Sequence, residues 1–167
     1  MRERDWAPAR EPEGELVDKP RLAARATLAR LGRTLISGDL ESAVAALAAG
    51  APMLGLYAPA PAGAHALRIA RDRALLVTPA PLGAADGWCA GFGATPVDDG
   101  WATVEVTGPD AALVLRQGTS VDLEAGSPSA AVLFAGLRCL LVRSETGFRL
   151  HVEAPWLEAL VAWLDGA

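Results

Sequence analysis

Two histidines, two cysteines and one adjacent pair of aspartates are the side chains whose type and spacing could support chemistry. A nucleophile needs a base within hydrogen-bond reach. His65 lies in an Ala/Gly/Pro stretch and His151 on the polar face of an alternating run, neither with an evident partner in sequence. Solvent-facing positions account for both. Asp98 and Asp99 precede Gly100, where a turn favours aspartate for its own backbone reasons, so they read as turn formers and not as metal ligands. Cys89 and Cys139 lack the paired spacing of a zinc site or a disulfide framework and read as packed free thiols. The run Gly91-Phe92-Gly93-Ala94-Thr95-Pro96 has the outward look of a dinucleotide loop. It fails that test because its third glycine position is Pro96, no hydrophobic strand feeds it and no helical pattern follows. No catalytic, cofactor-binding or metal-binding residue is therefore expected. Aromatic residues become the interface candidates: Trp88 and Phe92 in the long Gly/Pro-rich segment 79–96, and Trp101 on the polar face of the next strand. An indole at Trp101 either anchors a partner or is capped by that segment.

The elements that position these residues are legible from periodicity and turn chemistry. Ala102, Val104 and Val106 alternate with Thr103, Glu105 and Thr107, the pattern of a half-buried strand. Gly108 then permits a sharp reversal, Pro109 suits a first helical position, Asp110 faces the positive end of the helix dipole, and Gly118 is a left-handed stop. An earlier segment follows the same plan: a short strand over 34–37, Gly38-Asp39 opening an Ala-rich helix through Ala49, and a stop at Gly50 with Pro52 beyond. The repeated order predicts two related halves. The first half continues into strands over 53–57, 66–70 and 75–78, the last following an Arg71-Asp72-Arg73 turn. The second continues over 131–135, 137–143 and 148–153, and a helix from Pro155 carries Leu157, Leu160, Val161 and Leu164 as its covering stripe. Trp163 falls at the edge of that stripe. Residues 21–31, with Leu22, Leu28 and Leu31 between Arg21, Arg25 and Arg30, suggest a weak amphipathic helix. The fold class is α+β: one domain over 21–167 of two strand–helix–strands halves, with mixed or antiparallel sheets and covering helices. Residues 1–20, charged in both signs and broken by Pro8, Pro12 and Pro20, read as a flexible tail.

Composition bounds the partners. With 167 residues and 51% hydrophobic content the chain can fill a core. A formal net charge of −5 argues against nucleic acid and against an anionic membrane surface, both of which ask for a basic footprint. No apolar run reaches the roughly 18 residues of a membrane span, and the opening Met1-Arg2-Glu3-Arg4-Asp5-Trp6 has no apolar signal core, which places the protein in the cytoplasm. Lys19 as the one lysine, with abundant alanine, suits a bacterium of high G+C content.

In their order and spacing these segments resemble the gamma subunit family of heterotetrameric sarcosine oxidase, a relative of the folate-binding domain of the glycine-cleavage T protein. The resemblance spans most of residues 32–166. It rests on Gly38-Asp39 before the Ala-rich helix, Leu67-Arg68-Ile69 with the Arg/Asp turn and Ala74-Leu75-Leu76-Val77-Thr78-Pro79, and Asp99-Gly100-Trp101 leading to Gly108-Pro109. Further matches are Leu115-Arg116-Gln117-Gly118-Thr119-Ser120-Val121-Asp122-Leu123, and Phe148-Arg149-Leu150-His151-Val152 before Pro155-Trp156. Folate-using members of the wider superfamily carry adjacent aspartates on the strand after the glycine turn. Here that strand begins Gly136-Leu137-Arg138-Cys139-Leu140. The resemblance thus implies a non-catalytic structural subunit of a flavin-dependent sarcosine or N-methyl amine oxidase or demethylase. Larger subunits would be its partners and would hold the flavin and tetrahydrofolate, while this chain carries no cofactor of its own. The alternative is a diverged tetrahydrofolate-dependent aminomethyl or methyl transferase.

Overall fold

The computed structural model describes residues 24–28, 31–83 and 87–167. The chain runs β1 (Ala24–Leu28), β2 (Gly32–Gly38), α1 (Leu40–Leu47), β3 (Met53–Leu54), β4 (His65–Ala70), β5 (Arg73–Thr78), β6 (Gly87–Cys89), β7 (Phe92–Pro96), β8 (Trp101–Thr107), α2 (Ala111–Gly118), β9 (Ala131–Phe134), β10 (Leu137–Arg143), β11 (Gly147–Glu153) and α3 (Leu157–Gly166). Short 3-10 turns at Asp98–Gly100 and Ala154–Trp156 lead into β8 and α3. The class is α+β. A six-stranded sheet has the order β3-β4-β5-β2-β7-β6 and a five-stranded sheet the order β1-β8-β11-β10-β9.

Period-2 alternation in both sheets generates four layers. Ile36, Ala66, Ala74, Leu76 and Phe92 point from the six-stranded sheet to Leu40, Ala43 and Val44 of α1. Val104, Val106, Leu141, Leu150 and Val152 point from the five-stranded sheet to Ala111 and Leu115 of α2 and Leu160 of α3. The remaining faces meet each other, with Leu67, Leu75 and Val77 of one sheet against Leu140 and Val142 of the other. The molecule is helix on sheet on sheet on helices, and its middle layer holds the buried polar residues Arg33, Thr103 and His151.

The two halves are present as topology. The pairing β2-β5-β4-β3 in the first repeats as β8-β11-β10-β9 in the second. All these neighbours are antiparallel except β3 with β4, which are parallel. The flanking strands are exchanged. β1, which precedes β2, pairs antiparallel with β8, whereas β7, which precedes β8, pairs antiparallel with β2.

Several local expectations change. Residues 24–28 form a strand and not part of a helix, because β8 offers a free edge that a lone amphipathic stripe cannot match; the rest of 21–30 and the 1–20 segment lie outside the described residues. The segment 79–96 is not one long loop, since β6 and β7 form a hairpin whose turn places Ala90 and Gly91 at φ 49° and 86°. The Gly91–Pro96 run is this turn and its second strand. Only Met53–Leu54 of the expected 53–57 strand is regular, and the chain turns at Tyr57, φ 61°.

The two helix starts also differ. Asp39 caps α1 through Ser42 N (3.1 Å) and Ser42 Oγ (2.7 Å), and these bonds lower its pKa. Asp110 occupies the corresponding cap of α2 without a side-chain bond, so Pro109 precedes the cap and is not the first helical residue. Gly118 is not a left-handed stop: any Cβ there would overlap the ring of Phe134, so the position is small to let β9 approach. Gly50, at φ 84°, does have the left-handed geometry.

Candidate functional site

The face of β8 that carries Thr103 is covered, not solvated. Arg33 on β2 donates from Nη2 to Thr103 Oγ1 at 3.1 Å, and that oxygen lies 2.9 Å from His151 Nδ1 on β11. With the oxygen already accepting from arginine, the Thr103 hydroxyl donating to Nδ1 makes one continuous chain of donors. Arg33 also secures the entry to β8, donating from Nη1 to the Asp98 carbonyl at 3.1 Å, while its backbone N donates to Asp98 Oδ1 at 2.7 Å. Asp98 is therefore a clasp on β2 as well as a turn former. His65, on β4, donates from Nδ1 to the Gly63 carbonyl at 2.9 Å.

Both histidines are buried, contrary to the solvent-facing positions expected for them. Burial holds His151 neutral, with its pKa down at about 3, and repulsion from a proton on His65 and from the guanidiniums of Arg33 and Arg149 pushes the same way. Burial also lowers His65, against the opposing pull of the Gly63 carbonyl. The Nε2 atoms of both rings and Nε of Arg33 have no partner among the described residues. Chemically the group is a lock between sheets, since no substrate atom reaches a ring that is fully buried. Alternation in sequence marks two faces of a strand but not whether the second is covered.

One row further along the same strands, the middle layer opens into a cleft of about 510 Å³. Trp101 pairs with Glu153, and Leu133 pairs with Arg138. Arg73 and Ile69 line it from the opposite sheet. Cys139, also at the cleft, turns its side chain into the helix-facing core, where burial raises the thiol pKa to about 12. A thiol so protonated is no nucleophile at neutral pH. Among the described residues no group of three or more His, Cys, Asp or Glu could hold a metal ion, and no helix is long and apolar enough to cross a membrane.

The three interface candidates separate. Trp88 is 69% exposed, its ring lying over the backbone of Gly38 and Gly93 with the other face free. Trp101 is half-buried against the middle layer and forms a wall of the cleft. Phe92 is only 8% exposed and packs beneath α1, so it is a core residue and no surface anchor. Leu133 is 62% exposed at the cleft mouth and was not foreseen, because an apolar residue in a strand pattern reads as core.

Two strand–helix–strands halves with exchanged strands, closed as a four-layer α+β sandwich, define the structural class. The same fold occurs in a heterotetrameric sarcosine oxidase from Corynebacterium sp. U-96, solved in complex with pyrrole 2-carboxylate. That chain superposes with a TM-score of 0.69 at 22% identity, over 85% of this chain and 81% of the other. At that identity the likeness establishes the fold. No protein-family profile matches the chain, and no curated protein does.

Proposed function

We propose that the chain is a gamma-type, non-catalytic structural subunit of a cytoplasmic, multi-subunit flavin-dependent sarcosine or N-methyl amine oxidase or demethylase. The observation that carries the reading is two-sided coverage: a chain of about this length in a heterotetrameric oxidase has this fold over most of both molecules. Fold alone does not assign activity. The site supports an assembly role, because Arg33, Thr103 and His151 form a buried lock between the sheets and the position of the superfamily's aspartates carries Arg138 and Cys139. In this reading flavin and tetrahydrofolate sit on larger subunits.

Co-expression with the products of neighbouring genes tests it. A stable complex is expected, while the isolated protein is colourless and shows no heat of binding with tetrahydrofolate. Wild-type protein that recovers no partner, or that binds tetrahydrofolate at micromolar concentration, would overturn the proposal in favour of a stand-alone domain or a folate-dependent transferase. Within such a complex the free indole face of Trp88 is the anchor. Trp88→Ala should cost roughly 2 kcal/mol or more of binding, with an unchanged melting temperature for the isolated chain. Equal losses of binding and of melting temperature would return Trp88 to a packing role.

A further inference from the structure

The cleft at the open end of the middle layer carries an alternation that packing does not explain. Across four strands of the five-stranded sheet the inward row reads Trp101 (β8), Glu153 (β11), Arg138 (β10), Leu133 (β9). Arg138 falls beside Glu153 because Cys139 pairs with Val152 at the adjacent position. The row thus presents a ring, a carboxylate, a guanidinium and an aliphatic group at successive strand spacings of about 4.8 Å. Arg73 adds a second guanidinium from the opposing sheet. Among the described residues none of these three charges is in an ion pair, unlike Arg149 with Glu105 and Arg116 with Glu124. Their cleft, at about 510 Å³, is within the size range of small-molecule sites, roughly 300 to 1,000 Å³.

A negative and a positive group side by side select a ligand with the reverse pair of charges. We propose that this cleft binds a small amino-acid-like zwitterion with an apolar body. Its carboxylate meets Arg138 and Arg73, its ammonium meets Glu153, and its body lies between Trp101 and Leu133. The two guanidiniums outnumber the single carboxylate, so the ligand's acid group is the stronger anchor and its ammonium sets specificity. The site is independent of the assembly reading: its lining comes entirely from this chain, and binding there forms no covalent bond.

Isotope-labelled full-length protein titrated with L-phenylalanine tests the proposal by NMR, with 3-phenylpropionate, 2-phenylethylamine and glycine each lacking one of the three features. Phenylalanine should move the Trp101 indole N–H, assigned by its loss in Trp101→Phe, together with the Leu133 and Arg138 amides. Saturation is expected at or below a few millimolar, and each comparator should bind at least about tenfold more weakly. Glu153→Gln should bring phenylalanine down to the level of phenylpropionate, and Arg138→Gln should weaken both acids. All three charged residues are exposed, so these variants should melt as wild type does. The proposal fails if none of the probes moves these reporters at about 20 mM, well above a millimolar dissociation constant. It also fails if a comparator matches phenylalanine, or if folded Glu153→Gln and Arg138→Gln keep wild-type affinities.

Discussion

His151 carries the sharpest consequence at the scale of single residues. Its folded pKa lies at about 3, depressed first by burial and then by repulsion from a proton on His65 and from Arg33 and Arg149, whereas an unfolded histidine titrates near 6.5. The native ring is neutral and the unfolded ring takes a proton below that value, so the unfolded state binds more protons as pH falls through this window. Stability is full above about pH 6.5 and declines with acidification down to about pH 3. By pH 5 the loss from His151 alone is about 2 kcal/mol. Urea denaturation between pH 7.5 and 4.5 should show this decline in wild type and a shallower one in His151→Gln, where the amide can still accept from Thr103 but cannot titrate. Identical slopes would mean that the ring is not held neutral. The alternation of β8 and β11 was legible in sequence, yet the burial of His151 was not. Its cover, Arg33, comes from a strand nearly 120 positions away in sequence, and no local pattern reports that contact. The cleft was hidden for the same reason, since Arg138 reads as an ordinary exposed cation until Glu153 and Arg73 are brought beside it.

Elements were legible where turn chemistry is strong and illegible where tertiary partners override propensity. Gly38-Asp39 did announce α1, and Asp39 makes the capping bonds its position implies. Residues 24–28 are strand only because β8 lies alongside. The β6–β7 hairpin escaped notice because Gly-Trp-Cys and Phe-Gly-Ala-Thr-Pro are short and carry no apolar run, and its Ala-Gly turn lacks the Asn-Gly or Asp-Gly signature that would have marked it without one. The β9–β10 hairpin has the same device, with Ala135 at φ 50° and Gly136 at φ 78°. Alanine is strained there and asparagine tolerates the geometry, so Ala135→Asn should stabilise the protein by roughly 0.5 to 1 kcal/mol. The Ala135 N–H donates to the Gly118 carbonyl at 2.6 Å, a bond that a side-chain change leaves in place. Gly118→Ala should act in the opposite sense, costing about 1 to 3 kcal/mol as the added methyl group displaces Phe134. Thermal melts of both variants decide. A neutral Gly118→Ala would show that β9 can retreat from α2 at no cost.

Exchange of β1 and β7 makes the halves interdependent at the scale of the whole molecule. The repeated strand, glycine turn and helix could be read from Gly38 and Gly108, but the exchange could not, because pairing between distant strands leaves no period in the sequence. Each sheet completes its hydrogen bonding with a strand that precedes the other half's first strand, and the two sheets then bury one shared apolar layer. Neither inner face would remain dry if the other sheet melted. The protein should therefore unfold as one unit, even though its six-stranded sheet is contiguous in sequence from β2 to β7. Leu140 offers the test, being buried in the shared layer on β10 against Leu67, Leu75 and Val77 of the opposite sheet. Leu140→Ala should cost about 2 to 5 kcal/mol, the range for a buried leucine truncated in a close-packed interior. Native-state hydrogen exchange should record that same loss in the most protected amides of β2 and β5 as in those of β8 and β11, because global opening governs both sets. A loss confined to the five-stranded sheet would mean that the six-stranded sheet with α1 holds its structure alone, and that the exchanged strands join two separately stable halves.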